Sequence, residues 1–208
     1  FEVTAGRLRT VATDGHRLAM CDADTQTDSG ERMQVIVPRK GVQELARLLN
    51  DDDGIVTITL GNNHIRATVG TVTFTSKLID GKFPDYERVL PKGGDKIVLA
   101  NREELRHSLT RAAILSNEKF RGIRLQLTPD MLRIQANNPD QEEAEDDLTV
   151  EYNGASLEIG FNVQYLMDVL GVLDNSTAKL TLGDSNSSAL VQDAEGGSSV
   201  YVVMPMRL

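Results

Sequence analysis

A chain of 208 residues with 40% hydrophobic and 25% charged side chains has an ordinary globular composition, enough for one sizeable core or two modest ones. No apolar run approaches the ~18–20 residues of a membrane span, Phe1-Glu2-Val3-Thr4 lacks the basic start and apolar stretch of a signal peptide, and the single cysteine, Cys21, excludes an internal disulfide, so a cytoplasmic, reducing location is expected. The formal net charge of −9 argues against a protein that simply coats nucleic acid, though it leaves room for a basic strip on one face.

In chain order, the first 30 residues carry only strand pattern, at 8–13 and 17–21, with Thr13-Asp14-Gly15-His16 as a hairpin turn. A β-branched run, Val35-Ile36-Val37, then leads into a helical pattern over 39–49 and strands at 55–60, 64–68 and 72–78. Residues 80–95 have the composition of an interdomain linker. The same order of elements returns with Ile97-Val98-Leu99, a helix over 101–116, and strands near 123–127, 131–136 and 148–152. It returns again with Leu157-Glu158-Ile159, a helix over 162–173, and strands near 179–182, 189–192 and 200–203. Ile36, Ile97 and Ile159 open the three units at a period of roughly 60 residues, which marks a repeat architecture. The opening strands read as the tail of a fourth unit, so a truncated piece of a longer protein is expected. The tail, Tyr201 through Leu208, runs from an apolar strand into Met-Pro-Met-Arg-Leu. Two readings stand: a last strand tucked into its own core, or a groove whose thioethers adapt to apolar partners.

At 100° per residue the first helix is expected to bury Val42, Leu45, Leu48 and Leu49 and to turn Lys40, Gln43 and Arg47 outward. The second buries Leu105, Leu109 and Ala112 and leaves Ile114 outward at its end; the third buries Leu166, Val169, Leu170 and Leu173. The outward cations read most simply as a solvated face, with a basic strip of some function as the alternative. Chemistry of other kinds finds little footing. Asp14 and His16 resemble a catalytic pair, but a hairpin turn explains them and no nucleophile motif accompanies them. Asp22, Asp24 and Asp28 lack the glycine and the terminal glutamate of a calcium loop. The run from Asp140 to Asp147 reads as an acidic edge facing solvent or a basic partner. There is no phosphate loop and no zinc spacing, so no catalytic residue, metal or cofactor is expected.

Seven stretches then agree, in order, with one family. Residues 11–18 read Val-Ala-Thr-Asp-Gly-His-Arg-Leu, 35–41 read Val-Ile-Val-Pro-Arg-Lys-Gly, and 83–91 read Phe-Pro-Asp-Tyr-Glu-Arg-Val-Leu-Pro. Residues 113–122 read Ala-Ile-Leu-Ser-Asn-Glu-Lys-Phe-Arg-Gly, and 137–144, 160–163 and 201–208 complete the set. Together they closely resemble the beta subunit of bacterial DNA polymerase III, the replicative sliding clamp. The beginning departs from the family, lacking the first domain and about a third of the middle one. The resemblance implies an α+β DNA-clamp fold of repeated strand–helix–three-strand units, with helices on one face of antiparallel sheets. It also implies a middle domain at 1–86 and a C-terminal domain at 87–208.

The function implied is a non-enzymatic processivity factor whose homodimer encircles duplex DNA without sequence specificity. Replicative and translesion polymerases, the clamp loader and mismatch-repair proteins would dock in a hydrophobic peptide pocket. By residue, that pocket would draw on Thr13, Gly15, His16, Arg17 and Leu18, then Pro84, Arg88 and Val89. Phe120, Asn162, Tyr165 and Ser188 follow, with the tail residues Val202, Val203, Met204, Pro205, Met206, Arg207 and Leu208. Docked motifs in the family usually carry a glutamine and one or two large apolar side chains. Lys40 and Arg47 would face DNA, while Ile114, Leu115, Glu142, Glu143 and Asp146 would form half of the subunit interface. A different reading keeps only the peptide-binding module, without DNA encirclement; a hydrolase built on Asp14 and His16 lacks a nucleophile.

Overall fold

A computed structural model describes residues 1–27, 32–49 and 54–207. The chain divides into two compact units, Phe1–Thr10 with Ala23–Asp85, and Val11–Asp22 with Tyr86–Leu208.

In the first unit β1 (Glu2–Thr4) pairs antiparallel with the start of β2 (Arg7–Thr13); after β3 (Arg17–Asp24), the short β4 (Met33–Gln34) pairs with the other edge of β1. Glu2 is buried, and its carboxylate accepts hydrogen bonds from Arg32 at 2.8 Å and Gln34 at 2.7 Å. That pairing is what makes a buried carboxylate tolerable. The expected strand at Val35-Ile36-Val37 shrinks to an isolated bridge between Ile36 and Ile79. Helix α1 (Arg39–Leu49) follows, then the antiparallel meander β5 (Thr57–Leu60), β6 (His64–Val69) and β7 (Val72–Lys77). Alternate residues of β6, Ile65, Ala67 and Val69, are buried, as the period of two requires. Helix α1 buries Gly41 and Leu45, one turn apart. Any Cβ at Gly41 would stand 2.8 Å from Ser76 Oγ, so glycine permits this approach to β7. That seam turns Val42 outward, 41% exposed, which corrects the expectation that it is buried.

The second unit contains two complete repeats. The first is β8 (Lys96–Asn101), α2 (Arg102–Ile114), β9 (Gly122–Thr128), β10 (Met131–Asn137) and β11 (Glu143–Thr149). The second is β12 (Leu157–Asn162), α3 (Val163–Leu170), β13 (Thr177–Leu182), β14 (Ala189–Asp193) and β15 (Ser199–Val203). Each three-strand meander is completed by the opening strand of the other repeat. Strand β12 pairs with β9, giving the order β11-β10-β9-β12, and β8 pairs with β13. This exchange ties the two repeats into one core, where Phe161, Ile123, Leu125 and Ile159 meet Val98, Leu182, Leu109 and Val163. Beyond β13 the order continues β14-β15-β3, with Val202 opposite Leu18 and Val203 opposite Arg17. Helix α2 lies against β10, β11 and α3, while α3 touches β15. The architecture is α+β, as expected.

Strand β11 begins earlier than hydrophobicity alone suggests. Glu143, Glu145 and Asp147 point outward and alternate with Ala144, Asp146 and Leu148, and Glu145 and Asp147 have cross-strand partners. Arg133 reaches Asp147 at 2.8 Å and Glu145 at 3.2 Å, while Gln135 donates to Glu145 at 2.8 Å. Opposite-charge and amide pairs across an antiparallel ladder offset the low strand propensity of Glu and Asp.

Candidate functional site

The β2–β3 hairpin tip is locked by its own side chains. Thr13 Oγ1 donates to the Arg17 carbonyl at 2.8 Å and accepts from Gly15 N at 3.1 Å. Asp14 Oδ1 accepts from the backbone N–H groups of His16 and Arg17, both at 3.0 Å. Gly15 has φ +89°, a left-handed conformation that only glycine adopts cheaply. The Asp14 carboxylate thus faces the backbone and the Arg17 side chain, not the His16 ring, which leaves no Asp–His catalytic geometry.

So held, the tip presents Arg17 and His16 to α3. The Arg17 guanidinium lies 4.4 Å from the centroid of the Tyr165 ring, and the His16 ring stacks on Tyr165 with centroids 6.4 Å apart. Two carboxylates hold the guanidinium in place, Asp14 at 3.0 Å and Asp168 at 2.5 Å. Gln164 braces Asp168 from the preceding turn of α3, at 2.7 Å. The Asp168 bond comes first in raising the Arg17 pKa above its ordinary value. Partial burial pushes the Asp14 carboxyl up, but hydrogen bonds from His16 and Arg17 outweigh it and leave it below the usual value. Asp168 is held down in the same way, with Arg17 and Gln164 overcoming its desolvation.

The tail closes beside this cluster. Val202 and Val203 are fully buried, so their side chains belong to the core and offer no surface to a ligand; Leu18 opposite Val202 is likewise buried. After β15 the chain leaves the sheet. Met204 N donates to the His16 carbonyl at 2.9 Å, and Met206 N donates to the Gly160 carbonyl at 2.8 Å. Pro205, which has no N–H to satisfy, sits between those two anchors. Met204, Pro205 and Met206 are half-buried and Arg207 is exposed. Leu208 lies outside the described residues.

A second set of bonds fixes the loop before β9. Asn162 caps α3 by accepting from Gln164 N at 2.9 Å, and its amide donates to the Phe120 carbonyl at 3.2 Å. Asn117 accepts from the backbone N–H groups of Lys119 and Phe120. This loop holds Phe120 outward, 54% exposed. Ser188 and Val89 are half-buried and Arg88 is exposed in a 3-10 turn, Tyr86–Arg88; Pro84, also exposed, belongs to the first unit.

Ile114 is 76% exposed at the end of α2, with Leu115 half-buried beside it. Asp146 is already paired within the chain, accepting from Arg111 Nε at 2.9 Å, while Glu142 closes the preceding turn with Asn138 at 2.7 Å. Glu143 is exposed at the start of the edge strand β11. In the first unit, Lys40 and Arg47 are both exposed on α1, and Arg47 has Glu44 at 3.4 Å.

The sequence pattern gives no notice of Asp168, Gln164 and Gly160 as parts of the site. Asp168 follows Tyr165 by one helical turn, a spacing that places the two on one face. Its partner Arg17 is 151 residues away, a separation that no local pattern bridges. Among the described residues no cluster of three His, Cys, Asp or Glu side chains could hold a metal ion, and no helix is long and apolar enough to cross a membrane. Asp28 lies outside the described residues.

Two family models match the chain: the DNA polymerase III beta subunit central domain over residues 1–85 and its C-terminal domain over 87–207. The beta sliding clamp of Pseudomonas aeruginosa is 66% identical over 208 residues, and that of Escherichia coli K12 is 54% identical. The match covers all of this chain and 57% of each relative, so the chain spans little more than half the length of the curated relatives it matches. Among solved structures, the sliding clamp of P. aeruginosa superposes with a TM-score of 0.97 at 66% identity, covering 100% of this chain and 57% of the other. Caulobacter crescentus pol III beta superposes at 0.92 with 35% identity, at the same coverage. The chain belongs to the DNA polymerase III beta subunit family, the bacterial beta sliding clamps.

Proposed function

We propose that this sequence serves as a sliding-clamp subunit, a processivity factor that encircles duplex DNA as a dimer and recruits enzymes through a peptide site. The observation that carries the recruitment reading is the anchored tail. Its methionines are half-buried rather than sealed in the core, and its backbone is pinned to the hairpin at His16 and to β12 at Gly160. An adaptable apolar strip on a rigid frame suits short hydrophobic motifs, with most ordering cost met before binding. Thr13, Gly15, His16, Arg17, Tyr165, Asn162 and Phe120 frame that strip in this reading, and Arg88, Val89 and Ser188 extend it. Its partners are the replicative and translesion polymerases, the clamp loader and mismatch-repair proteins. The P. aeruginosa sliding clamp has been crystallised bound to griselimycin, and the same molecule is an expected ligand here.

Residues 1–86 and 87–208 act as the two clamp domains in this reading, and the protein works without catalysis in the cytoplasm. Lys40 and Arg47 face the duplex; a few cations suffice because a closed ring need not grip what it surrounds. Ile114 and Leu115, with Glu142, Glu143 and Asp146, meet basic and apolar residues of a second subunit, since an exposed isoleucine at a helix end beside an acidic edge strand fits such a partner. The test is topological. A closed dimer carrying this sequence stays on nicked circular duplex DNA and leaves when the circle is linearised. Equal loss from both forms contradicts the reading.

A further inference from the structure

Residues 150–156 join β11 to β12, and one tyrosine shapes the turn between them. Tyr152 is buried, its carbonyl accepts from Asp130 N at 2.9 Å, and its hydroxyl donates to the Ala155 carbonyl at 2.6 Å. To do so the ring folds back over Gly154. A Cβ there would stand 2.7 Å from Cζ and 2.9 Å from Cε2 of that ring, closer than real side chains come, so the position admits only glycine. Asn153 is therefore followed by a backbone nitrogen that no side chain shields, and this is the one Asn-Gly pair in the sequence. Both residues are exposed, and neither the Asn153 amide nor the Gly154 N–H has a hydrogen-bond partner among the described residues. Comparable positions are occupied. Asn117 and Asn162 accept from backbone N–H groups. Asn186 is exposed, but the nitrogen after it, Ser187 N, donates to the Asp184 carbonyl at 3.2 Å. Asp14 also precedes a glycine, yet it accepts from His16 N and Arg17 N while Gly15 N donates to Thr13 Oγ1.

We propose that Asn153 is a site of spontaneous deamidation, with Gly154 as the nucleophile and Tyr152 as the residue that keeps it a glycine. The Gly154 nitrogen gives up its proton and attacks Cγ of Asn153. The N–Cγ bond forms, the Cγ–Nδ2 bond breaks, and Nδ2 leaves as ammonia with that proton. Water then opens the cyclic imide. Attack at the side-chain carbonyl gives aspartate, and attack at the backbone carbonyl gives isoaspartate. Either product carries one new carboxylate, and isoaspartate also adds an atom to the backbone inside the turn that Tyr152 closes.

The experiment incubates the folded chain at neutral pH and follows residues 152–158, the peptide released by cleavage after Glu151 and Glu158, by mass spectrometry. That peptide gains about one dalton as two separable products. The gain at Asn153 is about tenfold faster than at Asn186, whose neighbouring nitrogen is both bonded and shielded. It accelerates as pH rises, because the nitrogen must lose its proton. Asn153→Gln, a change at an exposed side chain with no partner to lose, abolishes the gain and leaves the circular dichroism spectrum unchanged. Gly154→Ala slows the gain and lowers the urea midpoint, because its methyl group meets the Tyr152 ring. No gain at 152–158 in the folded chain, a gain seen only after unfolding in urea, or equal rates at Asn153 and Asn186 overturns the proposal. An unchanged urea midpoint in Gly154→Ala overturns the part assigned to Tyr152.

Discussion

The guanidinium of Arg17 lies over the Tyr165 ring at 4.4 Å, a contact that joins the tip of the β2–β3 hairpin to α3 between residues far apart in sequence. A cation–π contact of this exposure is worth about 0.5–1 kcal/mol, and the flanking ion pairs each add a fraction of that because they are partly solvated. Replacing Arg17 with alanine removes all three contacts. The expected cost is about 1 kcal/mol of stability, read as a lower urea midpoint with an unchanged slope. An unaltered midpoint would mean that the hairpin tip is held by its backbone and Asp14 alone.

Asn162 joins two parts of the site, capping α3 and holding the Phe120 carbonyl. Asn162→Ala leaves an N-terminal helix N–H and a loop carbonyl without their partner. The expected loss is about 1 kcal/mol, typical of a lost N-cap. Faster amide exchange at Gln164 and in the Phe120 loop should accompany it. Exchange that increases at neither place would contradict the bridging role.

Asp14 and Asp168 titrate below the ordinary carboxylate value because their hydrogen bonds outweigh partial burial. A carboxylate with a depressed folded-state pKa lends stability that is fully present above its unfolded value of ~3.9 and is lost as pH falls through the folded value. Both groups are more than a third exposed, so the contribution is modest after solvent screening. Asp168→Asn should therefore lose less stability on acidification below about pH 4 than the unaltered chain, and the two curves should converge at the acid end. Parallel curves throughout would show that the Arg17 pair carries no linked stability.

The parts of the fold that depend on local pattern were legible in the sequence. Helix α1 occupies the expected 39–49, because leucines at helical spacing follow Pro38 and outweigh a first turn that carries two cations and Gly41. The hairpin at Thr13-Asp14-Gly15-His16 follows from a glycine that must adopt positive φ. Three features were hidden for physical reasons. Strand β11 is acidic and reads as loop until Arg133 and Gln135 are placed opposite it. Val42 reads as core because hydrophobicity does not register a glycine seam, and Gly41 is what turns the helix. The exchange of β8 and β12 between repeats is a matter of long-range pairing that the period of roughly 60 residues cannot encode. Within the candidate site, the hairpin and tail were readable as segments. Their meeting at His16 and Met204 was not, while the core reading of the last strand holds for Val202 and Val203.

The central claim is that the residues after β15 form a docking strip on a rigid frame, and removing Met206, Arg207 and Leu208 tests it most directly. The truncation deletes the Met206 N–Gly160 O bond but leaves β15, with Val202 and Val203, in the core. The intact chain should bind a Gln-x-x-Leu-Phe peptide saturably in calorimetry with micromolar affinity, roughly −8 kcal/mol. The truncated chain should keep its circular dichroism spectrum and lose that heat. Equal affinity in the two, or no saturable heat in the intact chain, would contradict the account.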